Sequence, residues 1–150
     1  MINVYALCTG YIELDRASMV SDLTPGQPWT VPVTSVLVSH PRDYRRVDGE
    51  PDVFGDGSVV LLPTYGHTPG HQSLLVRAGK DSQIVCASDA CYTRENMDRD
   101  VLPKILWNPS VMSQSLAALR RLRDQAGATM FYGHDPAQWE TIPKAPAAVI

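Results

Sequence analysis

The chain has 150 residues, of which 44% are hydrophobic, and a formal net charge of −3. This length and composition predict a single globular domain with a substantial buried core. The negative charge argues against nucleic acid or an anionic membrane as a partner, and no apolar run approaches the roughly 18 residues of a membrane span. The amino terminus lacks a basic start followed by a long apolar stretch, and the three cysteines lack metal-ligand spacing. Both features predict a reduced, cytoplasmic protein.

The first part of the chain alternates strand-like runs with turns. Residues 2–7 and 10–14 predict two strands separated by Thr9-Gly10. Residues 24–28 contain two prolines and a glycine, which predict a turn, and residues 30–38 predict a third strand.

The middle of the chain predicts an antiparallel arrangement. A glycine-containing turn at 54–58 leads into a strand at 59–62. Strands at 73–77 and 83–87 are joined by a second turn at 78–81. The polar segment that follows these strands lacks a clear periodicity, and we expect it to form a wall of a site.

The last third predicts a helix, a strand and a short helix. Asn108 has the character of a helix N-cap, with Pro109 at the first helical position, and Gly127 ends the helix. Apolar residues recur along this helix with helical spacing, at Met112, Leu116, Leu119 and Leu122. A strand at 129–132 follows, and Asp135-Pro136 predicts the cap of a final short helix.

Three potential metal ligands each stand close to the end of a short β-like run. His71 lies in the glycine- and proline-containing turn that begins at Thr64, Asp89 follows residues 84–87, and His134 follows residues 129–132. Ligands at strand ends converge on one edge of a sheet. Imidazole nitrogens and a carboxylate oxygen suit zinc, and also iron, manganese or cobalt. A metal held in this way lowers the pKa of its bound water to about 7 and supplies hydroxide.

Three segments carry a resemblance to a known family: Gly66-His-Thr-Pro-Gly-His71-Gln-Ser-Leu, Ser88-Asp89-Ala-Cys-Tyr92 and Phe131-Tyr-Gly-His134-Asp135. Together they resemble the metallo-β-lactamase superfamily and, more narrowly, its quorum-quenching N-acyl-homoserine lactone lactonases. The resemblance implies an α+β fold, the αββα sandwich. Residues 1–42 would form its amino-terminal strands and residues 43–150 its carboxyl-terminal half, within one domain.

The resemblance also implies roles for four residues. His71 matches a ligand of one metal, His134 a ligand of the other, and Asp89 the carboxylate that bridges two zinc ions. Tyr92 matches the phenol that stabilises the developing oxyanion while hydroxide opens the ring of a small-molecule lactone or ester. Asp89 then assists departure of the ring alkoxide.

The family's most recognisable motif, His-x-His-x-Asp-His, is absent. Its place in relatives lies between segments that are directly joined here at Arg42 and Asp43. Part of the first half of the sandwich is therefore expected to be missing, and three of seven family ligands remain. Two hypotheses follow: a metal-dependent, lactonase-like hydrolase, or an inactive shortened relative that acts as a binding or oligomerisation module. Exposed apolar surface left by the missing block predicts a homodimer.

Each candidate also has a purely structural interpretation, as a polar residue hydrogen-bonded in a turn or, for Tyr92, as a half-buried aromatic. We interpret His67 as structural, fixing its turn by hydrogen bonding, and His40 as a solvated strand end. Cys91 lies beside the candidate site without an activating histidine or asparagine, so no nucleophilic role is expected for it.

Overall fold

The fold consists of two β-sheets and four helices in the residues that the computed structural model describes, namely 3–39, 52–78 and 82–149. In chain order the elements are β1 (Asn3–Asp15), α1 (Arg16–Met19), β2 (Pro28–Ser39), β3 (Val59–Pro63), β4 (Gln72–Arg77), β5 (Gln83–Ser88), α2 (Arg94–Arg99), α3 (Pro109–Ala126), β6 (Thr129–Tyr132) and α4 (Pro136–Thr141). Strands β1 and β2 form a two-stranded antiparallel sheet. The second sheet has the order β3-β4-β5-β6, with β5 and β6 parallel and the other pairs antiparallel.

The first strand differs from the sequence prediction. Two strands were expected around Thr9-Gly10, but β1 is one strand of 13 residues whose register with β2 shifts between Cys8 and Gly10. An extra residue at a β-bulge lets a strand bend and continue, so a glycine in a strand pattern need not end it.

The four-stranded sheet buries both of its faces. One face packs against α2 and α3, in a cluster that includes Leu75, Val85, Met130, Met97, Leu116 and Leu119. The opposite face packs against β1 and α4, in a cluster formed by Ala6, Ile84, Cys86, Phe131 and Trp139. Alternate residues of β5 thus serve opposite faces, as the period of two in a strand requires. The helical layer and the hairpin layer are held together by this one sheet.

The predicted helix caps of α3 and α4 are confirmed. The side chain of Asn108 accepts a hydrogen bond from the backbone of Val111, and Gly127 closes α3 with a φ of 66°. The side chain of Asp135 caps α4. The short helix α2 was missed within the segment predicted to be irregular. It begins at Thr93 with a reciprocal capping box to Asn96, and Asn at this position is a weaker signal than the usual Glu or Gln.

The first sheet has two strands, β1 and β2, in the described ranges. That part of the first half of the sandwich is missing stays a prediction. The turn expected at 78–81, His40 and the junction at Arg42-Asp43 fall wholly or partly outside the described residues. The single-domain boundaries stay a prediction. Among the helices described, none has the length and apolarity required to traverse a membrane.

The turn between β3 and β4 is anchored to the start of α3 through Gly66. Its φ is +127°, and a Cβ at this position would lie 2.3 Å from the Met112 Cα atom. The Gly66 carbonyl accepts hydrogen bonds from the backbone N–H groups of Trp107 and Asn108, both at 2.9 Å. Only glycine combines this backbone angle with so close an approach.

The substitution Gly66→Ala is therefore expected to lower the free energy of unfolding by about 3 kcal/mol, because backbone strain adds to a steric clash with α3. Gly57→Ala is the matched control. Gly57 also has a positive φ, of +75°, but no heavy atom would lie within 4 Å of its Cβ. That variant should lose only the conformational part, about 1 kcal/mol. Urea denaturation of both variants measures the difference, and equal losses would contradict the argument.

Candidate active site

Asp89 and His134 lie side by side because they follow two adjacent parallel strands. In the register of β5 and β6, Ser88 pairs with Tyr132, so both strands end at the same edge of the sheet. The crossover between these strands runs through α2 and α3. Side chains at the carboxyl ends of parallel strands meet in this way in many binding sites.

Asp89 and His134 form a direct hydrogen bond, with 2.9 Å between Oδ1 of Asp89 and Nε2 of His134. The other ring nitrogen of His134 lies 3.2 Å from the carbonyl oxygen of Pro32 in β2. Burial raises the pKa of Asp89, but the hydrogen bond and charge of His134 outweigh it, so the net pKa lies below the usual 3.8. Burial likewise lowers the pKa of His134, but Asp89 raises it further, to a net value above 6.5.

His71 is held by a chain of hydrogen bonds that sets its tautomer. Its Nδ1 lies 3.0 Å from both the carbonyl oxygen and Oγ1 of Thr64. Oγ1 of Thr64 lies 2.7 Å from Oγ of Ser73, which donates to the carbonyl of Ala87 at 3.0 Å. The carbonyl of Ala87 can only accept, so Ser73 donates to it and Thr64 donates to Ser73. Nδ1 of His71 must therefore carry a proton and donate to Thr64. Burial lowers the pKa of His71, so the neutral ring carries its lone pair on Nε2.

Tyr92 and His67 complete the cluster. The Tyr92 hydroxyl oxygen lies 3.2 Å from Nδ1 of His67 and donates to the carbonyl of Ile105 at 3.3 Å. Its ring centroid lies 5.1 Å from that of His134. Burial, and then the charge of Asp89, raise the pKa of Tyr92 well above its usual value of 10, so the phenol keeps its proton.

The four residues singled out from the sequence, His71, Asp89, Tyr92 and His134, therefore lie in one place. The structure also places His67 in this cluster, with its Nδ1 within hydrogen-bond distance of the Ile105 carbonyl and the Tyr92 hydroxyl, both outside its own turn. The sequence did not predict the groups that orient the imidazoles, namely Thr64, Ser73 and the carbonyls of Pro32 and Ile105. These supports are backbone atoms and common hydroxyl residues, which carry no motif. Burial raises the pKa of the Cys91 thiol to about 12, which agrees with the absence of a nucleophilic role.

The cluster has the donor chemistry of a zinc site but not its spacing. Imidazole nitrogens and a carboxylate oxygen are zinc ligands, and histidines whose Nδ1 is fixed by a backbone carbonyl are typical of metal sites. Within the ranges that the structure describes, however, no three His, Cys, Asp or Glu side chains are grouped so that they could hold a metal ion. Asp89 is instead engaged directly by His134. In this arrangement the described residues do not fit a metal ion.

A cavity of about 450 Å³ opens beside the cluster. Its lining combines polar side chains, among them Asp89, His134, Gln72 and Ser88, with apolar side chains from both sheets, among them Val33, Leu74 and Phe131. This volume falls within the range of small-molecule sites. A ligand with a polar head and an apolar tail matches such a lining.

The sequence matches curated N-acyl homoserine lactonases over about two thirds of the chain. One such enzyme, AttM of Azorhizobium caulinodans, is 38% identical over 100 residues, which is 67% of this chain and 38% of that protein. AiiA of Bacillus thuringiensis subsp. kurstaki is 32% identical over 93 residues, or 62% of this chain and 36% of that protein. The chain thus spans less than two fifths of the length of these relatives. No family model matches it.

The fold similarity extends further than the sequence similarity. A crystal structure of a quorum-quenching N-acyl homoserine lactone lactonase superposes with a TM-score of 0.85 and 19% identity, over 97% of each chain. A probable metal-dependent hydrolase from Staphylococcus aureus superposes with a TM-score of 0.71 and 9% identity, over 89% of each chain.

These comparisons confirm the α+β class and the metallo-β-lactamase fold. Over about two thirds of the chain, the sequence is similar to that of N-acyl homoserine lactonases.

Asp89→Asn tests the charge balance of the cluster, measured with a chelator present. The raised pKa of His134 gives stability that is complete below pH 6.5 and is lost as the pH rises through the folded-state value. The lowered pKa of Asp89 gives stability that is present above pH 3.8 and is lost as the pH falls through its folded-state value. Between pH 3.8 and 6.5 both contributions are present, so the variant should be less stable than the unchanged chain by about 1 kcal/mol. At about pH 9, where the His134 contribution is reduced, the difference should be smaller.

Thermal unfolding across this range measures the effect. Asp100→Asn is the control, because Asp100 pairs with Arg120 at the surface and not with a histidine. A destabilisation by Asp89→Asn that is the same at every pH would show that the ion pair is not its source.

Proposed function

We propose that this chain is a hydrolase that opens the ring of a lactone, as the names of its relatives suggest for N-acyl homoserine lactones. The observation that carries the proposal is the convergence of His71, Asp89, Tyr92 and His134 at one edge of the sheet. The cavity beside them supports it, since an acyl lactone has the polar head and apolar tail that the lining matches. Other lactones and esters share this chemistry.

Two residues carry the steps that the chain itself can perform. Hydroxide adds to the lactone carbonyl carbon, and the protonated phenol of Tyr92, which donates to the carbonyl of Ile105 in the structure, turns its O–H to the oxygen that becomes negative. The ring C–O bond then breaks, and the alkoxide receives a proton. The alkoxide takes this proton from the carboxylic acid that hydroxide addition has formed, and Asp89, which is ionised because its pKa is lowered, can relay it between the two oxygens.

Zinc is the proposed cofactor, with His71, Asp89 and His134 as its ligands. When bound, it would supply hydroxide at neutral pH. The chemistry of the donors and the fixed Nδ1 atoms of both histidines support this proposal. Against it stands the present spacing of the side chains, which the ion would have to change.

The test combines a ring-opening assay with metal analysis of protein purified without chelator. Tyr92→Phe should lower kcat by about 100-fold with metal content unchanged, because one oxyanion donor is lost. His71→Ala should abolish both activity and metal binding. Tyr65→Phe, which removes an exposed hydroxyl, is the control and should change neither. Protein that stays inert after zinc is added would refute the catalytic proposal.

The second candidate is an inactive shortened relative that acts as a binding or oligomerisation module. It is favoured by the lack of a three-ligand metal group among the described residues and by a first sheet of only two strands there. It predicts that His71→Ala alters stability alone. It also predicts a homodimer, and a single monomeric species in sedimentation would count against it.

A further inference from the structure

His67 is the member of the cluster to which the proposed function gives no role. We propose that His67 is a positioning residue, which fixes the phenol of Tyr92 and ties it to Asp89. The effect on catalysis rests on the proposed lactone hydrolysis, whereas the contact itself can be tested without it.

The Nδ1 side of His67 belongs to a three-membered polar group. Nδ1 lies 3.1 Å from the carbonyl oxygen of Ile105 and 3.2 Å from the hydroxyl oxygen of Tyr92, and that hydroxyl lies 3.3 Å from the same carbonyl. The positioning role requires a proton on Nδ1, which then donates to the phenol oxygen or to the carbonyl and leaves the single phenol hydrogen for the substrate; an Nδ1 without a proton would accept that hydrogen. In each case the phenol oxygen is held between the ring edge and the backbone.

The Nε2 side of His67 faces Asp89, at 3.6 Å from Oδ2. Oδ1 of the same carboxylate is bonded to His134. The imidazole of His67 therefore spans the gap between the charged group and the phenol. Its ring also packs edge-on against Tyr92, with centroids 5.8 Å apart and planes at 66°.

The backbone that carries this group is fixed by its neighbours. The N–H of Trp107 donates to the carbonyls of both Gly66 and His67, at 2.9 and 3.0 Å. The segments that contain His67 and Ile105 are thus joined in two ways, by main-chain bonds and by the imidazole. Removing the imidazole would leave the main-chain bonds in place and release the phenol, which is what a positioning role requires.

A kinetic double-mutant cycle tests the catalytic consequence. His67→Ala should lower kcat about tenfold and leave KM within about twofold, because the phenol is displaced but the cavity is not. In a Tyr92→Phe background, the same substitution should change kcat by less than about twofold, since its effect passes through the phenol. His67→Asn places an amide near the position of Nδ1 and should restore kcat to within about threefold of the unchanged chain.

Two kinetic results would overturn the proposal: a double variant whose loss of kcat equals the product of the two single losses, or a His67→Asn variant whose kcat is no higher than that of His67→Ala. Loss of bound metal in His67→Ala would overturn it as well. That loss would identify His67 as a ligand. Thr68→Ala, at an exposed side chain next to His67, is the control and should leave kcat unchanged.

A second cycle, in the unfolding equilibrium of chelator-treated protein, tests the contact without any assay of activity. The change in the unfolding equilibrium constant of the double variant His67→Ala, Tyr92→Phe should differ from the product of the two single changes by at least about threefold. Thr68→Ala combined with Tyr92→Phe should show no such coupling. If the unchanged chain opens no lactone, the proposed function fails, and this cycle still decides whether His67 holds Tyr92. A simple product would overturn the inference.

Discussion

The charge of Asp89 is the constraint around which the site is arranged. A carboxylate that is largely removed from water is stable only when opposite charge and hydrogen bonds surround it. His134 supplies a direct hydrogen bond, and Nε2 of His67 lies 3.6 Å from the other carboxylate oxygen. These imidazoles come from the end of β6 and from the turn between β3 and β4. The sheet order and the placement of that turn therefore have to be right together.

The start of α3 and the site form one structural unit. Asn108 caps α3 with its side chain, while its backbone N–H donates to the carbonyl of Gly66. The same segment brings the carbonyl of Ile105 to the phenol and the imidazole. A residue that reads in the sequence as an ordinary helix cap thus also fixes the turn that carries the histidines. Local helix formation and site geometry are coupled through one glycine.

Much of the second sheet could be predicted because its signals are local. Alternating strands between glycine-containing turns, and a helix with an Asn-Pro start and a glycine end, located β3 to β6 and α3 to within a residue or two. The elements that were missed, α1 and α2, are four and six residues long. Helices this short show no full apolar period, so only their caps could have marked them.

The sequence predicted the four residues of the cluster but not the groups that orient them. His71, Asp89, Tyr92 and His134 carry a family motif, so the sequence could identify them. Two groups that orient the cluster lie far away along the chain: the carbonyl that holds His134 is 102 residues distant, and the one that holds His67 is 38 residues distant. A carbonyl belongs to every residue, and its role arises only when the fold brings it to an imidazole. No sequence pattern records that.

The present arrangement shows how a site of this family can stay balanced without its histidine-rich motif. Each of the three imidazoles has Nδ1 beside a backbone carbonyl, which is the support that orients metal ligands in general. At His134, the proton on Nε2 faces the carboxylate of Asp89. A cation and this proton would neutralise the same charge, so they compete for it, and metal affinity must rise as the pH rises. A backbone carbonyl beside Nδ1 would orient an imidazole for either occupant, because it fixes the ring through the nitrogen that neither the proton nor a cation on Nε2 uses.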